Sequence, residues 1–257
     1  MSDAADDLSR PNLRPPIRVL PDLLINQIAA GEVVERPASA LKELLENSLD
    51  AGATRIDIDL AAGGIKRLRV ADDGCGIAFD ELPLAVARHA TSKIAVPEDL
   101  ARVVSLGFRG EALASLASIS RLTLQSRPRG AAHAGRIEVT GATASAPEPA
   151  ALAEGTVVTA EELFFNTPAR RKFLKSEPTE FGHCEDVVHR IALSAPGVAF
   201  TLTHNGRRVF QVERGSAEAR ARTVLGAAFA EAAVEVSSGS GTPFALHGWA
   251  ALPRYSR

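Results

Sequence analysis

Cysteine is nearly missing from this chain. The two present, Cys75 and Cys184, stand far apart, offer no metal-ligand spacing and point to a reducing compartment. No uncharged apolar run approaches the length of a membrane span. The N-terminus, Met1-Ser-Asp-Ala-Ala-Asp-Asp7, lacks the basic-then-apolar pattern of a secretory signal. A cytoplasmic protein with no membrane partner is expected. Charge of one sign is also missing: 29 Lys and Arg against 31 Asp and Glu leave a net charge of −2. No global field therefore recruits nucleic acid, and any such binding must come from a local patch. Gly-x4-Gly-Lys-Ser/Thr occurs nowhere, which excludes a P-loop. Gly74-Cys-Gly-Ile-Ala-Phe79 lacks the third glycine of a dinucleotide fingerprint. There is no internal repeat.

What is present is ordinary for a globular chain: 257 residues, 46% hydrophobic and 23% charged. Residues 1–16 are polar and proline-bearing and read as a disordered arm. Ile17 to Leu20 suits a short strand, and Pro21-Asp22 open a helix carrying Leu23, Leu24, Gln27 and Ile28. Arg55 to Leu60 alternates, Gly63-Gly64 turns, and Ile65 to Val70 returns, which predicts a hairpin. Asp80 is placed to cap a helix through His89, and a short helix is expected from Pro97 to Val104. Glu111 to Ile119 reads as a helix and Arg121 to Ser126 as a strand. Residues 127–154, rich in Ala, Gly and Pro, read as a hairpin and loop of little information. A strand at Gly155–Thr159 and a helix from Thr179 to Ala195, burying Val187, Val188 and Ile191, follow. Strands then flank Asn205-Gly206, a strong hairpin turn. From residue 214 the pattern restarts with a helix near Ala217–Phe229 and two strands. Roughly forty residues are too few for a core of their own, so the chain is expected to stop inside a second α/β domain.

One stretch organises the rest: Arg36-Pro-Ala-Ser-Ala-Leu-Lys-Glu-Leu-Leu-Glu-Asn-Ser-Leu-Asp-Ala-Gly52. Pro37 suits the first turn of a helix, and Gly52 the residue just past its end. At about 100° per residue, Leu41, Leu44, Leu45, Ser48 and Leu49 share one side, and Glu43, Glu46, Asn47 and Asp50 the other. A solvated surface face is the plain reading. Against it, the acids crowd the half where the helix dipole disfavours them, and Lys42 is the only cation among them. A divalent cation with its polyphosphate would neutralise such a face. Glu43 and Asn47, four apart, would set a base beside a neutral oxygen ligand.

An adenine nucleotide needs a carboxylate for its exocyclic amine, and Asp72 at a strand end can supply one. Gly74 and Gly76 would let backbone approach the ring. Phosphates need backbone N–H groups and a helix N-terminus, which Gly107-Phe108-Arg109-Gly110 before Glu111 can provide. Magnesium takes few protein ligands, so Asn47 with phosphate oxygens suffices. An attacking water needs a base, and Glu43 can fill that role. Singly, each piece has a plainer reading: Asp-Asp-Gly is commonly a turn, and Thr91, Ser92, Lys93 and Arg109 are ordinary loop and surface residues.

The order Glu43…Asn47, Asp72-x-Gly74-x-Gly76, Gly107-Phe-Arg-Gly-Glu-Ala-Leu113, Gly155-Thr156 resembles the ATPases that group gyrase, ninety-kilodalton heat-shock chaperones, histidine kinases and MutL. Within them, Asn26-Gln-Ile-Ala-Ala-Gly-Glu-Val-Val-Glu-Arg-Pro37, Arg88-His-Ala-Thr-Ser-Lys93 and Asn166-Thr-Pro-Ala-Arg-Arg-Lys-Phe-Leu174 resemble MutL-type mismatch-repair proteins. The likeness runs from Ile17 to about Trp249 and weakens through 127–154. It implies an α+β fold, a mixed sheet covered by a helix layer, with an ATPase domain over 17–213 and a truncated second domain over 214–257. It implies ATP and Mg2+ as ligands, Glu43 as general base, Asn47 as metal ligand, and Asp72 with Thr156 at adenine. Thr91, Ser92, Lys93 and Gly107–Gly110 become a lid over the phosphates. It further implies an ATP-dependent homodimer with Gln27–Val33 near the contact, other repair proteins as partners, and weak DNA-backbone contact. Arg170, Arg171, Lys172 and Lys175 are a candidate for that contact, or simply a solvated helix start.

Two departures bear on the expected activity. Asp73 replaces the family's usual Asn and adds a charge beside the adenine pocket. The lysine that the family supplies from its second domain falls beyond Arg257, so slow or absent turnover is expected of this chain. A nucleotide-binding interaction module without turnover therefore remains a rival. A topoisomerase-type ATPase subunit is the other; it should lack Gly-Phe-Arg-Gly-Glu-Ala-Leu and Asn-Thr-Pro-Ala-Arg-Arg-Lys-Phe-Leu, both present here.

Overall fold

The computed structural model describes residues 18–19, 34–93, 96, 98, 110–141, 143–239 and 246–252. The expected N-terminal arm, the helix around Leu23–Ile28, the segment Gln27–Val33 and the loop residues Gly107, Phe108 and Arg109 lie outside them. So do the strand expected at Ile17–Leu20, apart from residues 18–19, and the helix expected at Pro97–Val104, apart from Glu98.

Helix α1 spans Pro37–Asp50, starting at the proline because its fixed φ and missing N–H suit a first turn. Leu41, Leu44 and Leu45 are 0%, 3% and 0% exposed, so the apolar stripe read from the sequence is the buried one. Each such burial contributes about 2 kcal/mol. Strands β1 (Arg55–Ala61) and β2 (Arg67–Asp72) pair antiparallel, with Ile56, Ile58 and Leu60 inward as their alternation requires. A single 3-10 turn, Ala62–Gly64, joins them, so β2 begins later than Ile65.

The capped helix expected from Asp80 to His89 is instead a 3-10 turn, Phe79–Glu81, and one helical turn, α2 (Leu82–Ala85). Neither Asp80 nor Glu81 caps it with a side-chain hydrogen bond, and Leu82 is its one buried residue. Helix α3 (Ala112–Ile119) leads into β3 (Arg121–Arg127). Residues 127–154 form more than the single hairpin and loop expected. They contain β4 (Ala134–Thr140), β5 (Thr143–Ala144) and β6 (Glu148–Ala150), and Ile137 and Val139 join the core.

Strand β7 (Gly155–Glu161) inserts between β2 and β3. After the short helix α4 (Pro168–Arg171) comes α5 (Glu177–Ser194), which buries Cys184, Val188 and Ala192, while Val187 and Ile191 are only partly covered. Strands β8 (Ala199–His204) and β9 (Arg207–Val212) form the second hairpin. Its turn residues Asn205 and Gly206 have φ of 50° and 77°, as a primed turn requires. The main sheet runs β5-β4-β3-β7-β2-β1-β8-β9, with β6 beside β4. Only β1 and β8 are parallel among its pairs, so the sheet is mixed, with α1, α3 and α5 in the packed layer: the α+β architecture expected.

Past the sheet, Ser216 caps α6 (Ala217–Leu225), Gly226 at φ 91° breaks the expected single helix, and α7 (Ala227–Ala232) follows. Strands β10 (Ala233–Ser238) and β11 (Leu246–Ala251) make a separate two-stranded sheet. Arg220 of α6 is 2% exposed, and it is held by backbone carbonyls instead of a carboxylate. Its guanidinium donates to the carbonyls of Ala192, Ala195, Pro196, Val198 and Glu213, and lies over the Phe200 ring. Several of these carbonyls close α5, where the helix leaves its C-terminal oxygens without partners and favours a cation.

Candidate functional site

A cavity of about 1400 Å³ lies against the polar side of α1. It is large enough for a nucleotide. Glu43, Asn47 and Asp50 face it from successive turns of the helix, and Asp72, Gly76 and Thr156 from the ends of β2 and β7. Thr91, Ser92, Lys93 and Gly110 line it from the segment beyond α2. Nine of the residues picked from the sequence therefore share one groove. Gly74 borders it without lining it. A smaller cavity of about 240 Å³, beside α6, α7 and Trp249, gathers none of them.

Asp72 is held on both oxygens. The Gly74 N–H donates to Oδ1 at 2.9 Å, and Ser48 Oγ lies 2.9 Å from Oδ2. Burial drives the Asp72 carboxyl above its ordinary value. The Gly74 and Ser48 donors pull it back, and neighbouring Asp73 pushes it up further. Thr156 is the cross-strand partner of Asp72, and its Oγ1 is 2.8 Å from Ser126 Oγ, which also accepts the Ile77 N–H. The close approach of β7 depends on Gly155 at φ 120°, where a Cβ would fall 1.9 Å from the Asp72 carbonyl oxygen. Gly76 has a comparable duty: its Cβ would strike the Arg127 carbonyl at 2.5 Å, so its bareness serves chain packing as well as the groove.

Asp73 differs from expectation. Its carboxylate turns away from the groove and accepts the Thr54 N–H at 2.6 Å, the Thr54 hydroxyl at 2.6 Å and the Arg55 N–H at 2.8 Å. Burial alone would raise this carboxyl, but these donors outweigh it and hold it low. Asp73 is thus a clasp between β2 and the start of β1, reaching the pocket only through its field on Asp72.

The acidic face is also better balanced than its sequence suggests. Lys42 pairs with Glu46 at 2.7 Å, one turn on. A second cation arrives from outside the helix: Lys93 Nζ is 2.5 Å from Asp50 and 3.0 Å from Asn47 Oδ1. The Lys93 N–H in turn donates to Thr91 Oγ1. Asn47 Oδ1 therefore already receives a cation, which is the donor chemistry a hard metal ion needs. Among the described residues no group of three or more His, Cys, Asp or Glu forms a metal cage.

Among the lining or supporting residues given no site role from sequence are Ser126, Ser48, Asp50 and Cys75. Ser126 follows Leu122 and Leu124 at the strand period, so its inward direction was legible. Ser48 interrupts the apolar stripe of α1, also a readable signal. Asp50 lies on the polar face of α1 read from the sequence, whereas Cys75 lines the groove with no local pattern to separate it from its neighbours.

Residues 35–152 match the family described as histidine kinase-, DNA gyrase B-, and HSP90-like ATPase. The chain is 58% identical over 237 residues to a DNA mismatch repair protein MutL of Thiobacillus denitrificans, covering 92% of this chain and 40% of that protein. It is 52% identical over 243 residues to the MutL of Neisseria meningitidis, covering 95% of this chain and 37% of that one. It thus spans about two fifths of the length of these relatives. In three dimensions it is similar to the Aquifex aeolicus MutL ATPase domain complexed with ADP, with TM-score 0.63 and 32% identity. That likeness covers 80% of this chain and 73% of that one. With its fold and its sequence both matched, the chain belongs to the MutL family of DNA mismatch repair proteins, on the fold of the gyrase B-like ATPases.

Proposed function

We propose that this chain is the ATP-binding, ATP-hydrolysing part of a mismatch-repair switch, and that Glu43, Asn47 and Asp72 carry the chemistry. The observation behind this reading is that these three side chains, from two separate elements, line one groove together with Thr156 and Thr91–Lys93. Asp72, held by Ser48 and Gly74, accepts the adenine amine, with Thr156 beside it. Asn47 Oδ1 would hold Mg2+, which when bound neutralises charge on the phosphates. Glu43, one turn earlier, takes the proton of an attacking water. Thr91, Ser92, Lys93 and Gly107–Gly110 cover the phosphates and exclude solvent from them.

In the wider reading, ATP brings two copies together, and the dimer engages other repair proteins and the DNA backbone. Arg171, Lys172 and Lys175 are exposed beside Phe173, itself 79% exposed, and would supply that weak, salt-sensitive contact. Turnover separates this reading from its non-enzymatic rival. ATP and GTP are titrated into the 257-residue chain with Mg2+, and phosphate release is followed. Adenine-selective binding with phosphate release is expected. Binding without release, both in this chain and in a longer one carrying the second-domain lysine, selects the interaction-module reading, and indifference to the base removes the role given to Asp72.

A further inference from the structure

Asp50 has no part in the chemistry above, yet it closes the same face of α1 one turn after Asn47. Its side chain is 13% exposed and its ion-pair partner Lys93 22%, so this pair is far more covered than most surface salt bridges. An acid in the last turn of a helix faces the negative end of the dipole and needs a cation to be tolerated. That cation comes from 43 residues further along the chain, and it is shared with the Asn47 carbonyl oxygen.

We infer that Asp50 is a positioning residue that holds the Lys93 ammonium on Asn47, so that nucleotide-bound Mg2+ and Lys93 compete for one oxygen and exchange places on loading. This rests on the ATP reading of the groove. A magnesium ligand lies about 2.0–2.1 Å from its metal, and the ammonium already stands 3.0 Å from the same oxygen. Two cations on one amide oxygen repel each other across a few ångströms of partly covered space, where screening is weak. The metal therefore displaces Lys93 from Asn47. Asp50 retains the ammonium until the triphosphate, which carries more negative charge, takes it. Lys93 joins the phosphates only as Asn47 is taken by the metal, which makes that contact conditional on the metal-bound form of the nucleotide.

The test compares ATP affinity in Mg2+ and in EDTA for the parent chain, Asp50→Asn, Asp50→Glu, Lys93→Met and the Asp50→Asn/Lys93→Met pair. Asp50→Asn frees Lys93 for phosphate, so metal-free ATP should bind roughly tenfold tighter, the scale of one charge-assisted contact. Affinity in Mg2+ should stay within about twofold, and Asp50→Glu should restore parent behaviour. In the Lys93→Met background Asp50→Asn should change nothing. Equal changes with and without Mg2+, or an Asp50→Asn effect that survives without Lys93, would overturn the inference. Reductive methylation of Lys93, read by mass spectrometry without nucleotide, supplies an independent arm. Labelling should rise several-fold in Asp50→Asn, where the amine is no longer held in the ion pair, and unchanged labelling overturns the pairing. A parent chain that binds no ATP while Lys93 labelling still follows Asp50 sinks the ATP reading and the exchange with it, leaving only the ion pair.

Discussion

Ser48 and Asp72, one on the helix and one at a strand end, meet at 2.9 Å, and through that contact α1 orients the carboxylate at the floor of the groove. Asp72 titrates above its ordinary value because burial outweighs its donors. On the proposed reading its ionised form accepts the adenine amine, so ATP affinity should fall as pH drops through a midpoint above 3.8. Ser48→Ala removes a donor that favours the charge and should move that midpoint upward. For stability the sign is opposite. The neutral carboxyl suits the folded state, so its contribution is full below the unfolded value and is lost as pH rises through the raised one. Asp72→Asn should abolish ATP binding without lowering the melting temperature at neutral pH. Affinity equal to the parent would remove Asp72 from the site.

Glu43 lines the groove one turn before Asn47. Glu43→Ala should keep ATP affinity and lose turnover by roughly 10²–10⁴-fold, the usual worth of a general base. Phosphate release and equilibrium binding measured on the same sample check this. A parallel loss of both would mean that Glu43 supports the pocket instead of acting on water.

Asp73→Asn installs the amide that the family resemblance implies at this position. An amide cannot accept from both the Thr54 hydroxyl and the two N–H groups as a carboxylate does. Thermal or urea unfolding should show a loss of about 1–2 kcal/mol. Removing the neighbouring charge should also lower the Asp72 midpoint, opposite in direction to Ser48→Ala. A large change in ATP affinity at neutral pH would mean that the side chain does reach the ligand.

The two thiols should differ in reactivity. Cys75 is exposed and lines the groove, whereas Cys184 is fully buried, its thiol pushed up to about 12 by burial and by Glu180. A thiol reagent should modify one cysteine in the folded chain and two after denaturation. ATP should slow the first reaction. Modification of Cys184 under native conditions would contradict its burial.

Sequence was most informative where the determinants are local. The leucine stripe of α1, the alternation of β1 and the Asn205-Gly206 turn each declare themselves within a few residues, and all are present. Strands β5 and β6 were not legible because Ala, Gly and Pro leave little alternation there, whereas β4 does alternate over Arg136–Thr140 and fits the hairpin expected in this stretch. Ile137 and Val139 become core only through pairing of β4 with β3. The same limit applied in the site. Letters placed Glu43, Asn47 and Asp72 as candidates, but the direction of the Asp73 side chain is set by turn geometry. The meeting of Lys93 with Asp50 is set by tertiary placement across 43 positions.

The Arg220 cluster separates two boundaries that are easily equated. The large sheet ends with β9 at Val212, but oxygens at Ala192, Ala195, Pro196 and Val198 are served by a side chain that arrives only at position 220. Cutting after the last strand would strand those acceptors without a donor and remove the cation that closes α5. The smallest piece able to stand alone therefore extends at least through α6, to the helix end that Gly226 marks.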